Sequence, residues 1–416
     1  MFRCPALGLV LALTACEAAS PPVAASEAPI INGGICQGEA STAMALLVDT
    51  TLTVPFLGSL PVRSVACTGT LIAPDVVLTA AHCVDETVLG QGIAEATGTR
   101  FFVTFEEDLV ALSAGETMDF PPAAIEAAAW VKHEQFDINS WNEVNGPGRY
   151  YDIGLLFLER PVEGLEPERV ITSTEASSIT TGSTVTIAGW GASTEDVGSI
   201  LMPPPRGTVG LKNCGAALIG EVAEWEFQVG TDQASTRKCR GDSGGPTYLN
   251  VAPGTAFPRR VVGVTSHAYD ESLCDEGGLD TRVDAYLDWL DTRMRDACAD
   301  GTRVWCTLPG LIPVDSGPVA VLPGSFTPDA GVPDRGFAAP DLGTPDLGES
   351  DLGIETDAGT IPPVVADAGR ADSGPGRDLA PADGCACASP GQSSQAVGVL
   401  VLGLAVLRRR RRRPQG

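Results

Sequence analysis

Between residue 30 and about residue 290 the chain reads as short apolar runs broken by Gly, Pro, Asn and Asp, with 43–48, 65–72, 76–79, 154–158 and 185–188 the clearest. Runs of this length predict strands, and their spacing predicts an all-β sandwich or barrel. Near the end of the region the period changes. Val283, Tyr286, Leu287 and Leu290 recur at helical spacing, so a helix is expected to close the domain.

The pattern then stops. Residues 307–384 hold 12 of the chain's 32 prolines with 13 acids and only three arginines, and contain the repeat Pro340-Asp341-Leu342-Gly343, Pro345-Asp346-Leu347-Gly348, Asp351-Leu352-Gly353. So little apolar area does not offset a backbone ordering cost of about 1–2 kcal/mol per residue, which predicts a disordered, extended linker. Apolar runs return at both ends of the chain. Residues 5–15 follow a lone charge at Arg3 and are too short to span a bilayer, as in an export signal. Residues 396–407 precede six arginines, 408–413, an order that suits stop-transfer or sorting with snorkelling cations on the cytoplasmic side. The expected organisation is a signal peptide over 1–16, a propeptide over 17–29, a folded domain over 30–296, a Cys-containing extension over 297–306, the linker over 307–384 and a sorting or anchor segment over 385–416.

Composition narrows the function classes. A net charge of −26 argues against nucleic acid, whose phosphates are bound by concentrated Lys and Arg. The acidity reads as a solvated surface plus an acidic spacer, or as a means of attracting a basic partner. Twelve cysteines point to disulfides in an oxidising compartment. The three histidines include no His-x-x-x-His pair, so no metal and no organic cofactor is expected. Of these histidines, His133 is expected on a surface strand.

Three separated segments carry the candidate chemistry: Leu78-Thr79-Ala80-Ala81-His82-Cys83, Tyr151-Asp152-Ile153-Gly154-Leu155-Leu156 and Cys239-Arg240-Gly241-Asp242-Ser243-Gly244-Gly245-Pro246. A serine hydroxyl is a poor nucleophile at neutral pH and needs a base within hydrogen-bond reach; that base in turn needs a buried carboxylate to hold its tautomer. Ser243, His82 and Asp152 are the candidates for these three roles. Small residues around Ser243 suit a tight turn that aims the amides of Gly241 and Ser243 at a developing oxyanion.

In sequence and order these segments closely resemble the histidine, aspartate and serine motifs of chymotrypsin/trypsin-like serine peptidases, from Ile30 to about Leu290. The resemblance implies two six-stranded antiparallel β-barrels with a C-terminal helix, ahead of the disordered tail. It implies hydrolysis of internal peptide bonds through an acyl-enzyme on Ser243, in a monomer acting on protein or peptide substrates. It also implies disulfides Cys67–Cys83 and Cys239–Cys274, and backbone pairing of substrate with Ser266, His267 and Ala268, where the family usually carries an aromatic at the position of His267. Cys36 with Cys214 and Cys298 with Cys306 are paired by elimination. The alternative reading is a catalytically silent pseudo-peptidase serving as a surface binding module.

Two departures from the family stand out. Ile30-Ile31-Asn32-Gly33-Gly34 resembles its mature N-terminus, which implies an ion pair between a freed Ile30 ammonium and Asp242. Yet Pro29 precedes Ile30, and no basic residue lies between Cys16 and Ile30, which excludes a tryptic activator. The residue six before the serine, an aspartate at the base of the primary pocket in trypsins, is Arg237, followed by Lys238. Cleavage after Lys or Arg is therefore disfavoured. Either Arg237 selects acidic residues, or it folds back onto an internal acid, with Asp280 beside Gly278 the candidate.

The termini carry further resemblances. Leu13-Thr14-Ala15-Cys16 resembles a bacterial lipobox, and lipidation at Cys16 or ordinary signal cleavage near residues 18–20 are both open. Gly384-Cys385-Ala386-Cys387, the apolar run and the arginine cluster resemble the C-terminal surface-sorting signal of myxobacterial exported proteins. The implied location is the bacterial cell surface or outside the cell, with membrane or envelope attachment through terminal anchors.

Overall fold

The computed structural model describes residues 30–56, 58–90, 94–141, 146–192, 209–269 and 274–319. The signal, propeptide, sorting segment and nearly all of the linker expected from the sequence lie outside these residues. Two antiparallel barrels dominate the fold. The first closes in the order β2 (Ala43–Val54), β3 (Gly58–Ala73), β4 (Val76–Thr79), β7 (Gly154–Leu158), β6 (Ile125–Lys132) and β5 (Glu95–Thr104). The second runs β9 (Asn213–Val222), β10 (Glu226–Val229), β13 (Gly278–Arg282), β12 (Arg259–Ala268), β11 (Pro246–Asn250) and β8 (Thr184–Gly189), closing through β8–β9. A two-residue strand, β1 (Gly34–Ile35), adds to β9, and the disulfide Cys36–Cys214 fastens it there.

Burial explains which strands the sequence shows. Every residue of β4 and β7 is buried, so both appear as uninterrupted apolar runs with the expected limits. The first half of β2 is equally buried, but beyond Val48 its burial alternates through Asp49, Thr50, Thr51 and Leu52. There β2 and β3 continue as a polar ribbon in which Arg63 reaches Asp49 at 2.9 Å, and this extension carries no apolar run to announce it.

The closing helix begins later than expected. Val283–Tyr286 forms a 3-10 turn and the α-helix occupies Leu287–Ala299, with Leu290, Met294 and Ala297 buried. Chain order also persists beyond the expected linker boundary at 307. Arg303 and Asp75 are both fully buried as an ion pair, and Cys298–Cys306 closes a short loop around that anchor. Leu311 then donates its amide to Asp291, the Ser316 and Gly317 carbonyls accept from Arg169, and the Val319 amide donates to Glu166. Polar anchors hold this strap together with the isolated buried side chains of Ile312 and Val319, which form no periodic apolar run for hydrophobic patterning to register. Among the described residues no helix is long and apolar enough to cross a membrane.

Candidate active site

His82 lies in the 3-10 turn Ala81–Cys83 directly after β4, and Asp152 lies directly before the paired strand β7. The β4–β7 ladder, with Thr79 opposite Gly154, therefore brings the two together. His82 Nδ1 is 2.8 Å from Asp152 Oδ2, while the His82 amide donates to Oδ1 at 2.9 Å. Ser266 Oγ donates to the same Oδ2 at 2.6 Å, and Thr281 Oγ1 donates to the Asp152 carbonyl at 3.0 Å. Burial alone would raise the pKa of the fully buried Asp152. The positive charge His82 can carry and the hydrogen bonds from His82 and Ser266 outweigh it and hold the carboxyl below its ordinary value.

The serine segment comes from the second barrel and docks on the first. The Thr68 amide of β3 donates to the Ser243 carbonyl at 2.8 Å, and Thr79 Oγ1 donates to the Thr68 carbonyl at 2.9 Å. The disulfide Cys67–Cys83 ties the neighbours of Thr68 and His82. Gly244 has φ +76°, and a Cβ there would lie 2.1 Å from Thr79 Oγ1 and 2.3 Å from the Thr68 carbonyl, so only glycine admits this approach. Gly241, at φ +93°, meets a similar limit: its Cβ would fall 2.8 Å from Gly191 Cα. Among the described residues, neither the Gly241 nor the Ser243 amide has an intrachain acceptor, and the Ser243 hydroxyl makes no hydrogen bond.

Asp242 is buried and caps two amides, Gly191 through Oδ1 and Cys239 through Oδ2, each at 2.9 Å. Burial pushes its pKa up to about 7 against those hydrogen bonds and the charge of Lys238. Ile30 is also fully buried, with φ +58°, and the Ile31 carbonyl accepts from the Arg237 amide at 3.1 Å.

The pocket residues correct one expected pairing. Asp280 does not receive Arg237; Lys238 takes it, with Nζ 3.0 and 2.8 Å from the two carboxylate oxygens and 2.7 Å from Thr247 Oγ1. Lys238 and Asp280 are both fully buried, and burial pushes the lysine down and the acid up, each opposed by the other's charge. Arg237 is instead turned onto the carbonyls of Cys274, Gln233 and Ser235, with Asp275 at 3.6 Å. Its residue exposure is 5%, so its donors are spent inside the chain. Alternation along β13 explains the exchange: Gly278 and Asp280 share one face, and a Cβ on Gly278 would face Lys238 Cβ at 3.8 Å.

His267 of β12 is held between Glu226 Oε1 at 3.2 Å and the Ala268 carbonyl at 2.9 Å. Burial would lower its pKa, but Glu226 outweighs burial and raises it. Tyr150 packs edge-on against it with ring centroids 5.0 Å apart. His133 is not on a surface strand. It follows β6, is 9% exposed, and packs among Tyr151, Tyr286 and Trp289, where burial lowers its pKa.

The other two disulfides are Cys239–Cys274, beside the serine segment, and Cys298–Cys306 in the strap. Cys67, His82 and Cys83 are close enough to hold a metal ion, but disulfide formation removes the two thiolates that would ligate it. Sequence reasoning missed Thr68, Tyr150, Gly191, Glu226, Thr247 and Asp275. Each comes from a different segment, and none carries a local motif.

The family described as Trypsin matches residues 49–290. The serine proteinase stubble of Drosophila melanogaster is 26% identical over 55% of this chain, although the match spans only 27% of that longer protein. Trypsin Blo t 3 of Blomia tropicalis is 27% identical over 57% of this chain and 80% of its own length, and fibrinolytic enzyme isozyme C of Lumbricus rubellus is 27% identical over 55% and 89%. A solved structure of HL collagenase aligns with a TM-score of 0.43 at 19% identity, covering 64% of this chain and 98% of its own. With the family matched over more than half its length, the chain belongs to the trypsin family and is a serine-type endopeptidase.

Proposed function

We propose that Ser243 attacks the scissile carbonyl, His82 takes and returns the proton, and Asp152 holds the imidazole tautomer, with the Gly241 and Ser243 amides receiving the oxyanion. The observation that carries this reading is the buried Asp152 carboxylate, 2.8 Å from His82 Nδ1. That contact leaves Nε2 as the basic nitrogen. Catalytic hydrogen bonds are often long without substrate and tighten on binding, which accommodates the unbonded Ser243 hydroxyl. Substrate pairs with the 266–268 stretch, and no metal or cofactor takes part.

Activation by a freed Ile30 ammonium facing Asp242 is part of the same proposal. It is supported by the buried Ile30 side chain and by an Asp242 carboxyl that burial leaves short of positive charge. At the pocket base, the internal use of Arg237 and Lys238 supports cleavage after uncharged residues in preference to Lys or Arg. Export and terminal anchoring at a bacterial surface, which rest on the sequence of the termini, and a monomeric state, which rests on the family resemblance, complete the reading.

A fluorophosphonate probe applied to protein processed at Ile30 tests the catalytic assignment. Labelling that Ser243→Ala abolishes is expected. Persistent failure to label after confirmed processing would instead favour a pseudo-peptidase that binds without cleaving.

A further inference from the structure

Glu226 of β10 is buried and reaches two other segments. Its Oε1 accepts from His267 Nε2 at 3.2 Å, and its Oε2 accepts from the Gly148 amide at 2.8 Å. His267 Nδ1 donates in turn to the Ala268 carbonyl at 2.9 Å. Each ring nitrogen therefore faces an acceptor. A neutral imidazole carries one N–H and satisfies only one of them, so the arrangement calls for the doubly protonated ring. With 8% of the His267 side chain and 2% of the Glu226 side chain exposed, water is poorly placed to replace a missing bond.

This bridge joins the stretch of β12 proposed to pair with substrate to residues 146–151, which lead into Asp152. Three contacts hold the two together: the Gly146 amide donates to the Tyr269 carbonyl at 3.0 Å, Gly148 reaches His267 through Glu226, and the Tyr150 ring packs edge-on to His267. Tyr151, the last residue before Asp152, has φ +57°, a left-handed conformation that a tyrosine keeps only when its surroundings hold it. Among the described residues, the other titratable and charged groups around the pair are Tyr150, pushed up by burial and by Glu226, Asp152, which favours the imidazolium, Tyr286, which feels the Glu226 charge, and Tyr269 with its partner Glu221. Arg149 is stacked on Trp225 and Tyr151, and β13 places Leu279 opposite His267, its Asp280 being held by Lys238. Burial opposes a charge on His267, but the Glu226 hydrogen bond and charge, the Ala268 carbonyl and Asp152 outweigh it and raise the pKa above the ordinary 6.5. The charged ring is therefore present at pH 6.5 and is lost as pH rises through the raised value.

We infer that Glu226 is a positioning residue for the peptidase reaction: it keeps His267 an imidazolium, and the resulting bridge holds the substrate-pairing stretch to residues 146–151 until loss of the ring proton with rising pH loosens it. The inference rests on the peptidase reading above. A position that the family usually fills with an aromatic becomes here a tie that titrates.

The test is the kinetics of the processed full-length protein from about pH 6 to about pH 10, on a quenched-fluorescent peptide selected from a random library. KM is expected to rise about 10-fold across an alkaline limb while kcat changes less than about 2-fold, because the bridge acts on substrate pairing and not on the reacting atoms. Glu226→Gln should remove the limb: the glutamine oxygen accepts from Gly148 and its amide donates to a neutral His267 Nε2, so the bridge no longer depends on a proton. His267→Phe has no ring proton to lose and should remove it as well, which serves if the glutamine variant folds poorly. Deprotonation of a freed Ile30, or a Glu226 that merely supports the fold, would give a limb that both variants leave in place, and that result overturns the inference. Nitrogen NMR of Ser243→Ala protein, simple with three histidines, should show His267 mostly protonated on both nitrogens at pH 6.5, and mostly on one once Glu226→Gln is added. A ring mostly singly protonated in both overturns the inference too. Protein that labels at Ser243 and cleaves without a KM limb overturns the inference and leaves the peptidase reading standing. Protein that neither labels nor cleaves overturns both.

Discussion

Asp152 and Asp280 are both fully buried and each faces a nitrogen base, His82 in one case and Lys238 in the other, but the two pairs differ in their access to water. In His82–Asp152 the aspartate is fully buried while the imidazole retains 11% exposure; in Lys238–Asp280 both side chains are at 0%. A third group completes each, Ser266 for the first and Thr247 for the second. In the proposed mechanism the open pair exchanges a proton with a bound substrate. The sealed pair has no route to one, and its charges serve to satisfy each other across the pocket base. Similar groups thus yield the proposed catalytic dyad or a structural tie according to which side chain reaches solvent. The carboxyl shifts agree: the one facing the open imidazole is held down and the one sealed with lysine is pushed up, burial being the larger opposing or driving cause respectively.

The sharpest way to break this comparison is Asp152→Asn, which keeps the packing but loses the tautomer. A fall in kcat of about 10⁴-fold is expected with little change in Tm. A Tm loss comparable to that of the sealed pair would erase the distinction. Next is Lys238→Met, which strands the buried Asp280 and should destabilise the fold by about 3–5 kcal/mol in denaturant titration. Adding Asp280→Leu should recover most of that loss, because no buried charge then remains unpaired.

The neighbouring Asp242 sharpens the contrast through pH. Its folded pKa of about 7 lies above the ordinary value of 3.8, so it stabilises the uncut chain at low pH, and this contribution is lost as pH rises through 7. Tm of uncut protein should fall between pH 5 and 8, and Asp242→Asn should flatten that dependence. Cleavage at Ile30 should reverse the sign by supplying an ammonium. The smallest effect is expected from Thr247→Val, about 1 kcal/mol in Tm-derived stability from one hydrogen bond. Its counterpart Ser266→Ala should act mainly on kcat, since the group it serves is the open pair.

The three segments of the proposed site were legible because each is local: a histidine, an aspartate and a serine with their immediate neighbours suit a turn, a strand start and a glycine loop. The buried strands β4 and β7 were legible because burial on both faces writes an unbroken apolar run. The polar ribbon of β2 and β3, the burial of His133 and the strap to Val319 were not. Each depends on partners from distant segments, as Arg303 depends on Asp75. The pocket base shows the limit most clearly. Two adjacent cations and one downstream aspartate were visible, but strand alternation and the serine-loop turn decided that Lys238, and not Arg237, faces Asp280.

Sequence by itself therefore determined the reaction class, the most buried barrel strands and the presence of a closing helix, since motif chemistry and hydrophobic period are short-range properties. Tertiary structure alone decided which charged groups are sealed from water, as Lys238 and Asp280 are, and which of them retain exposure, as His82 does. The physical reason is that ion pairing and desolvation depend on distance in space, which residue spacing along the chain does not encode.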